Sequence, residues 1–459
     1  MAPFFAAGPT QGKKRFWQSG RSWAQRAGLY AAALSKHKKP IIDASPDDGA
    51  TRALAPRPSW RDGNRIHLLQ NGEAFFPALC AAIDGARRYV HLETYIFNID
   101  VTGLKVLDHL RMACQRGVKV RVALDGFGCF ETVGVLRERL EEMGAQVRVY
   151  RPEPTGWRWY RFSLGRLRRL HRKMTVVDDA IGFVGGLNIL DDYVDVPNQG
   201  GELSPRFDFA VRIEGPLLQD LIRAQDELWV RLAWRHSRHW REWYQRFRLW
   251  LVSRNQKIAA RLPRFQPGLR AALLLRDNLR YRKTIEDVYV KALSEASREI
   301  VIANSYFFPG RRLRQALKHA ALRGVRVQLL LQGHAEYPLQ HWASRNLYGP
   351  LLRHGIALYE YQPSYLHAKV AVIDDCAMVG SSNMDPFSLL LAREANVWID
   401  DADFSAQLRQ ALAYEIDSHS RQMTLGGLKK VSVFARALNW LAYRLLRIGV
   451  ALTGKGSEY

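Results

Sequence analysis

The chain has 459 residues, of which 47% are hydrophobic, and a formal net charge of +24 at pH 7 from 68 Lys and Arg against 44 Asp and Glu. This length predicts two core domains, and the apolar content excludes a largely disordered or collagen-like chain. The excess of positive charge predicts a surface that attracts anionic partners. The four cysteines lie far apart without a CxxC pair, so we expect neither a disulfide framework nor a cysteine-based zinc site.

The N-terminal segment, residues 1–58, is rich in Ala, Gly, Pro and basic residues. We expect it to be a basic, partly disordered extension. In its first 16 residues a few apolar residues precede Lys13, Lys14 and Arg15, which is opposite to the order in a secretory signal. The first 42 residues contain no acid, so their composition leaves an organellar transit peptide open. Because no run of about 18 uncharged apolar residues occurs anywhere, we expect no membrane-spanning helix.

An internal repeat organises the middle of the chain. Residues 86–128 have the pattern strand, helix, strand, and residues 296–333 repeat it, with Arg-Gly before the second strand in both copies. Such units predict a mostly parallel sheet flanked by helices, and a period of about 200 residues predicts a duplicated domain. The expected fold is therefore α/β, with two similar lobes and an active site at their interface.

The predicted lobes span residues 59–228 and 269–421. Between them, residues 229–268 form a basic, Trp-rich segment that we expect to be a helical linker, either packed on the lobes or bound to a surface. Residues 422–459 form the C-terminal segment. Within it, Val431 to Leu452 predicts an amphipathic helix, which either lies in the plane of a membrane or docks on a lobe.

Both lobes contain the spacing His-x-Lys-x-x-x-x-Asp, followed by Gly-Gly or Gly-Ser and then Asn. Its members are His171, Lys173, Asp178 and Asn188 in the first lobe and His367, Lys369, Asp374, Ser381 and Asn383 in the second. Two such motifs at matching places of a repeat are very improbable by chance.

The spacing of these residues indicates phosphate chemistry. His and Lys two residues apart on a strand project from the same face and can meet one substrate group. Two lysines with neutral amide and hydroxyl donors suit a tetrahedral oxyanion, above all a phosphodiester. We expect no metal and no cofactor, because a metal-binding histidine would need carboxylate or thiolate ligands converging beside it and a lysine beside a metal cation would be repelled.

Two pairs of carboxylates accompany the motifs. Asp178 and Asp374 each precede another Asp in a predicted hairpin turn, so they act either in catalysis or in stabilising the turn. Asp208 and Glu394 occupy matching strands later in each lobe. We expect these two to orient the histidines, because a carboxylate on imidazole Nδ1 fixes the tautomer.

The paired motifs resemble the phospholipase D superfamily. The segments that begin at Ser59, Leu92, Ala303 and Ser382 (SWRDGN, LETYIF, ANSYFFPG and SNMDPFSL) are similar to those of bacterial cardiolipin synthases. One departure is Ala368, where the family commonly has Gly. The resemblance covers the chain from about residue 59 to the C-terminus.

The resemblance implies a phosphatidyl transfer without metal. A histidine attacks phosphatidylglycerol, forms a phosphatidyl-histidine and releases glycerol, and the headgroup hydroxyl of a second phospholipid then takes the phosphatidyl group. We assign His171 as the nucleophile and His367 as the acid and base. The remaining donors would hold the nonbridging oxygens: Lys173, Lys369, Asn188, Ser381 and Asn383.

The expected partners are anionic phospholipids, phosphatidylglycerol and cardiolipin, and a membrane surface. We expect the protein to be a peripheral membrane protein at the cytoplasmic face of the bacterial inner membrane. A basic aromatic segment before His171, Trp157 to Phe162, suits anionic headgroups, although a nuclease or a phospholipase D-type hydrolase could use the same features. A binder without catalysis would need the cations but not the imidazoles.

We expect no nucleic acid partner. The sequence leaves two points open: whether the acceptor is phosphatidylglycerol or phosphatidylethanolamine, and the oligomeric state.

Overall fold

The computed structural model describes residues 58–153, 168–194, 196–197, 203–234, 254, 256–278 and 281–451. Almost all of the predicted extension 1–58 lies outside these ranges. So do Trp157 to Phe162 and half of the predicted linker 229–268. Their predicted roles stay predictions.

The first lobe alternates strands and helices up to a hairpin that contains the first motif. In chain order its elements are β1 (Trp60–Gln70), α1 (Asn71–Asp84), β2 (Tyr89–Thr94), α2 (Val101–Gln115), β3 (Lys119–Asp125), α3 (Val133–Glu142), β4 (Gln146–Tyr150), β5 (Lys173–Val177), β6 (Ile181–Gly185), β7 (Phe209–Glu214) and α4 (Leu218–Trp234). Local sequence sets these boundaries. The Asp100 carboxylate, for example, accepts from Gly103 N and begins α2.

The second lobe repeats this order and adds elements at its end. They are β8 (Leu269–Arg276), α5 (Thr284–Glu295), β9 (Glu299–Asn304), α6 (Arg311–Leu322), β10 (Arg326–Gln332), α7 (Pro338–Arg345), α8 (Tyr348–Arg353), β11 (Ala357–Tyr361), β12 (Lys369–Ile373), β13 (Cys376–Gly380), α9 (Pro386–Leu390), β14 (Glu394–Asp400), α10 (Ala402–His419), β15 (Ser420–Met423), α11 (Leu425–Lys430) and α12 (Val433–Val450).

The strands form one continuous sheet with a matching order in the two lobes. From the centre outward, the first lobe runs β1-β7-β6-β5-β2-β3-β4 and the second runs β8-β14-β13-β12-β9-β10-β11, with β15 at the outer edge. The central strands β1 and β8 pair antiparallel and join the lobes. The prediction of two similar α/β lobes is therefore confirmed.

The prediction of a mostly parallel sheet is wrong. Among the described strands, β3 pairs parallel with β2 and β4, and β10 pairs parallel with β9 and β11. The other pairings within each lobe are antiparallel, as in the hairpins β5-β6 and β12-β13. The parallel pairings come from the β-α-β units that the sequence displays, whereas the short turns between motif strands permit only antiparallel neighbours.

The two lobes share an apolar core. It contains Val176 and Val211 of the first lobe together with Val370 and Val397 of the second, all of them buried. Each lobe has a further core on its outer side, beneath its own helices. Because apolar burial is the dominant favourable term in folding, the shared core holds the lobes in a fixed relation.

The C-terminal helix α12 docks on the second lobe and also exposes an apolar face. Ala442, Leu446 and Val450 are buried in the outer core of that lobe, and the ring of Tyr443 lies 5.3 Å from that of Phe308. On another side of the helix, apolar side chains are exposed: Val433 (79%), Phe434 (78%), Trp440 (51%), Leu441 (48%), Leu445 (45%) and Ile448 (57%). The docked alternative therefore describes one face of this helix, and the in-plane membrane alternative stays a prediction.

We predict that Asn64 is a stabilising connection between β1 and the second lobe. Its side-chain amide donates to the carbonyls of Arg61 (2.7 Å) and Leu269 (3.1 Å), and its Oδ1 accepts from Leu217 N (2.8 Å). Asn64→Ala leaves these buried groups unpaired, which should lower the free energy of unfolding by about 2–3 kcal/mol. Urea denaturation measures this change, with Gln115→Ala on the exposed side of α2 as control. Equal midpoints for both variants would contradict the assignment.

Candidate active site

The motif strands place each histidine and lysine at the junction of the lobes. β5 and β12 are internal strands whose residues are all buried, and they begin at Lys173 and Lys369. His171 and His367 come two residues earlier, on the same face as the lysines, as the spacing predicts. The histidine side chains are 14% and 16% exposed, so only a small part of each is accessible.

The segment before each histidine pairs with the other lobe. His171 N donates to the carbonyl of Arg393 (3.0 Å), and His367 N donates to that of Phe207 (2.8 Å). Short parallel bridges join Leu170 to Arg393 and Phe207 to Leu366. Because Arg393 and Phe207 directly precede Glu394 and Asp208, this pairing brings each carboxylate to the histidine of the opposite lobe.

The carboxylates bind the histidines crosswise. Nδ1 of His171 lies 3.0 Å from Glu394, and Nδ1 of His367 lies 2.6 Å from Asp208. With Nδ1 occupied by a carboxylate, Nε2 is the ring atom left for chemistry. The structure thus brings Asp208 and Glu394 to the histidines. Gly186 makes room for this arrangement, because a Cβ there would lie 2.3 Å from Asp208 Oδ1.

The two lysines are buried between these pairs. Lys173 Nζ donates to the carbonyl of His171 (2.8 Å), Lys369 Nζ donates to that of His367, and Lys369 Nζ lies 3.8 Å from Asp208. Burial lowers the pKa of Lys173 to about 7, with a further contribution from the charge of Lys369. Burial lowers the pKa of Lys369 to about 8. An anionic ligand would restore both charges.

The same burial acts on the histidines and on Asp208. It lowers the pKa of His171, against the opposing effect of Glu394. It also lowers the pKa of His367 well below the usual value, and the charges of Lys369 and Lys173 add to this shift. For Asp208, burial raises the pKa to about 6 against the charge of Lys369. Without a ligand, both imidazoles are therefore neutral near pH 7.

The predicted phosphate donors have different surroundings. Asn188 Oδ1 accepts from Ile96 N (3.3 Å), and Asn383 Oδ1 accepts from Ser305 Oγ (2.8 Å). Because the oxygen of each amide is used in this way, its amino group points to the other side and is left as a donor for a ligand. The hydroxyl of Ser381 instead donates to Glu394 (2.6 Å). We therefore reassign Ser381 as a residue that positions Glu394, because its proton is already used.

The structure does not bring Asp178 and Asp374 to the histidines. Both have positive φ values, 54° and 50°, at the turns that end β5 and β12. The Asp178 carboxylate accepts from the backbone at Arg88 (2.7 Å) and Tyr89 (2.8 Å), and Asp374 does the same at Arg298 and Glu299. A strand advances about 3.3 Å per residue, so Asp178 lies about 16 Å from Lys173. We therefore correct the prediction that Asp178 and Asp374 are catalytic residues, because both stabilise turns instead.

Sequence reasoning missed several residues around the histidines. The ring of Tyr95 lies 4.8 Å from that of His171 and 5.3 Å from Lys173 Nζ. Asp125 accepts from Leu170 N (2.7 Å), and Gln332 accepts from Leu366 N (3.1 Å), one residue before each histidine. Alignment of the two repeats could have found the last pair, because both residues end the strand after the Arg-Gly signal.

Across the residues that the structure describes, no three His, Cys, Asp or Glu side chains form a group that could hold a metal ion. The site geometry consists instead of two imidazoles, two carboxylates and two ammonium groups. Together these groups can attack the phosphorus of one phosphodiester, protonate its leaving group and stabilise the charge on its oxygens. The expectation that the reaction needs no metal stays a prediction.

Comparison with known proteins agrees with this geometry. The family model "Cardiolipin synthase, PLD-like domain" matches residues 79–199 and 289–415, one segment in each lobe. Cardiolipin synthase B of Shigella flexneri is 39% identical over 398 residues, which cover 86% of this chain and 91% of that protein. This chain belongs to the cardiolipin synthase family with phospholipase D-like domains. Cardiolipin synthase B of Escherichia coli has the same identity and coverage.

A solved structure supports the fold of this cardiolipin synthase family member. Phosphatidylserine synthase of Haemophilus influenzae aligns with a TM-score of 0.61 at 15% identity, covering 86% of this chain and 95% of that one. At this identity the likeness concerns the fold alone. It agrees with a two-lobed α/β fold.

We predict that the rate on a soluble phosphodiester falls as pH rises through the pKa values of the lysines. Lys173 and Lys369, with pKa values of about 7 and about 8, are charged below those values and lose the charge above them. The histidines, whose pKa values are lowered, stay neutral on the acid side of their usual value. The profile of kcat/KM against pH should therefore fall between about pH 7 and 8, because it reports the free enzyme.

The matched variant is Lys173→Arg, whose guanidinium keeps its charge at high pH. It should move the alkaline fall to higher pH, even where the maximal rate is lower. An alkaline fall that stays at the same pH would show that another group causes it.

Proposed function

We propose that this protein is a cardiolipin synthase that transfers a phosphatidyl group from phosphatidylglycerol to the headgroup hydroxyl of a second phospholipid. The observation that carries the proposal is the crosswise pairing of His171 with Glu394 and of His367 with Asp208, beside two buried lysines. It supplies two activated imidazoles for one phosphate. The relatives named cardiolipin synthase B support the choice of substrate.

In the first step, Nε2 of His171 attacks the phosphorus of phosphatidylglycerol. A P–N bond forms, and the bond from phosphorus to the glycerol oxygen breaks. His367, protonated by this stage, gives its proton to that oxygen and glycerol leaves. The negative phosphate favours this protonation, because it offsets the lysine charges that lower the pKa of His367.

In the second step, His367 is neutral and acts as the base. It takes the proton from the hydroxyl of the acceptor headgroup as the oxygen attacks phosphorus. The P–N bond to His171 breaks, and its electron pair returns to the imidazole. When the acceptor is phosphatidylglycerol, the product is cardiolipin. The free enzyme is then ready for the next turnover, with the proton on His367.

The buried cations and amides stabilise the charge on phosphorus in both steps. Lys173 and Lys369 approach from the two lobes, while Asn188 and Asn383 offer amino groups. Such donors are effective because they are already oriented in a site from which water is largely excluded. Glu394 and Asp208 stabilise the imidazolium forms.

The second candidate function is hydrolysis, in which water replaces the acceptor hydroxyl. It uses the same histidines, so the catalytic geometry does not separate the two reactions. The exposed apolar face of α12 favours a lipid surface over a nucleic acid as the place of action, because its apolar side chains offer nothing to a phosphate backbone.

The exposed apolar face of α12 consists of Phe434, Leu441, Leu445 and Ile448. Beside it, the Arg444 guanidinium lies 5.1 Å from the ring of Trp440. Apolar side chains with basic and Trp neighbours are typical of a helix that lies at a membrane surface. None of the helices described in this structure is long and apolar enough to cross a bilayer. We infer peripheral attachment, at the cytoplasmic face of the bacterial inner membrane.

The test of function uses phosphatidylglycerol labelled in its acyl chains. The native protein should form labelled cardiolipin and release glycerol, whereas His171→Ala and His367→Ala should each lower the rate at least about a thousandfold. Quenching during turnover should trap lipid on His171. His109→Ala, on the surface of α2, is the control. Substantial turnover by either active-site variant would exclude the two-histidine mechanism, and lipid on His367 would reverse the roles.

We predict that substitutions on the apolar face of α12 weaken membrane binding without unfolding the protein. Leu441→Gln with Leu445→Gln should lower vesicle binding by about tenfold or more, because each exposed Leu loses its transfer into the acyl boundary. Turnover on detergent-dispersed lipid should change little. Vesicle sedimentation and thermal unfolding measure the two effects.

Substitution is a better test than deletion of the helix, because Ala442, Leu446 and Val450 belong to the core of the second lobe. Val101→Gln, at a position that is 78% exposed, is a control for general loss of surface hydrophobicity. Normal vesicle binding by the double variant would assign α12 a structural role only.

A further inference from the structure

A partly open polar cavity lies in the second lobe, where the chain leaves β9 and β10. Its lining includes Ser305, Tyr306, Gln332, Glu336, Tyr337 and Gln340. These residues come from the end of β9, the end of β10 and the segment that leads into α7. The catalytic scheme above gives this cavity no role.

The cavity borders His367 on both sides along the chain. Ser305 N donates to the carbonyl of Ala368 (3.2 Å), and Gln332 Oε1 accepts from Leu366 N (3.1 Å). Ser305 Oγ donates to Asn383, one of the candidate phosphate donors. The cavity lining therefore contacts the backbone on both sides of His367, whose imidazole we assign as acid and base.

The cavity presents buried polar atoms to a ligand. Two of the buried side-chain atoms without a hydrogen-bonding partner in the described part of the chain are Gln332 Nε2 and Gln340 Oε1. The Gln332 side chain is only 5% exposed, and its Oε1 is held by Leu366 N, so Nε2 is the free donor. An unpaired buried polar atom is unfavourable, and a bound hydroxyl would give it a partner.

Glu336 adds a carboxylate acceptor to the cavity. Tyr306 donates its hydroxyl to the Glu336 carboxylate, and burial raises the pKa of that carboxyl. In the first lobe, the loop after β3 instead closes on Tyr95, with Cys129 Sγ donating to the Tyr95 carbonyl (3.3 Å). A Cβ on Gly128 would lie 2.1 Å from that same carbonyl, so this loop packs closely on Tyr95.

Donors and acceptors side by side fit a molecule whose groups both donate and accept. Vicinal hydroxyls have this property, whereas an ammonium group only donates and would be repelled by nearby Lys369. Burial also lowers the pKa of His341, which lines the cavity, to about 4, so this ring adds no cation.

We propose that this cavity binds the polyhydroxy headgroup of the acceptor lipid, with Glu336, Gln332 and Gln340 as its hydrogen-bonding residues. The inference rests on the proposed function. It makes the second lobe the side from which the acceptor hydroxyl reaches phosphorus, opposite His171. In an in-line displacement the departing glycerol of the donor occupies this same place, so the donor in a test must have a different leaving group.

The experiment uses phosphatidyl-p-nitrophenol as donor and a mixture of glycerol and ethanol as acceptors. Release of p-nitrophenol reports the first step, and the ratio of phosphatidylglycerol to phosphatidylethanol reports the choice of acceptor. Glu336→Gln and Gln340→Leu should each lower that ratio about tenfold, as expected for loss of one buried hydrogen bond to a hydroxyl. Release of p-nitrophenol should stay within about twofold of the native rate.

The control is Glu138→Gln on the exposed side of α3, which should change neither quantity. An unchanged product ratio in both cavity variants would overturn the proposal. So would an equal loss of both alcohol products with p-nitrophenol release, because that result indicates a structural role. Ethanolamine is a third acceptor: if it outcompetes glycerol and loses this advantage in Glu336→Gln, the cavity binds an ammonium headgroup instead. A native protein that makes no transfer product refutes the proposed function itself.

Discussion

The crosswise bonds between carboxylates and histidines are the constraint on which this structure depends. Glu394 belongs to the second lobe and binds His171 of the first, while Asp208 belongs to the first lobe and binds His367 of the second. Neither lobe alone contains a complete histidine-carboxylate pair. The shared apolar core and the pairing of β1 with β8 therefore have a catalytic consequence, because they fix the distances across the junction.

The charges of the site are balanced before any substrate arrives. Two lysines face two carboxylates, and burial raises or lowers several of their pKa values toward the neutral forms. A phosphodiester brings one negative charge into this group and makes the charged forms of the lysines more favourable. Substrate binding and the protonation state needed for catalysis are thus coupled. A neutral substrate of the same shape would not produce this change.

Much of the fold and part of the site could be predicted from the sequence. The β-α-β repeat and the paired motifs are local patterns, so they gave two α/β lobes and the strand positions of His171, Lys173, His367 and Lys369. Which carboxylate meets which histidine was not predictable, because that pairing depends on how the lobes associate. The antiparallel strands were missed because the apolar patterns of internal strands do not reveal their neighbours' direction.

Two individual assignments show the same limit. The sequence spacing suggested that Asp178 belongs to the catalytic motif. Spacing along the chain does not show that Asp178 and His171 lie at opposite ends of the buried strand β5. Ser381 looked like a phosphate donor because its position matches the motif. Its hydroxyl proton is used on Glu394, a residue 13 positions later in the chain, so only the folded arrangement reveals its role.

The duplication raises the question of how two similar histidines take different roles. Both have a carboxylate on Nδ1 and a lysine two residues later, so the difference must come from what surrounds them. Around His171, the aromatic ring of Tyr95 lies 4.8 Å from the imidazole, and the loop at Cys129 packs on the Tyr95 carbonyl. Around His367, the polar cavity offers room for a leaving or entering alcohol. In an in-line reaction the alcohol and the nucleophile occupy opposite sides of phosphorus, so a cavity beside His367 favours His171 as the nucleophile and His367 as the acid and base.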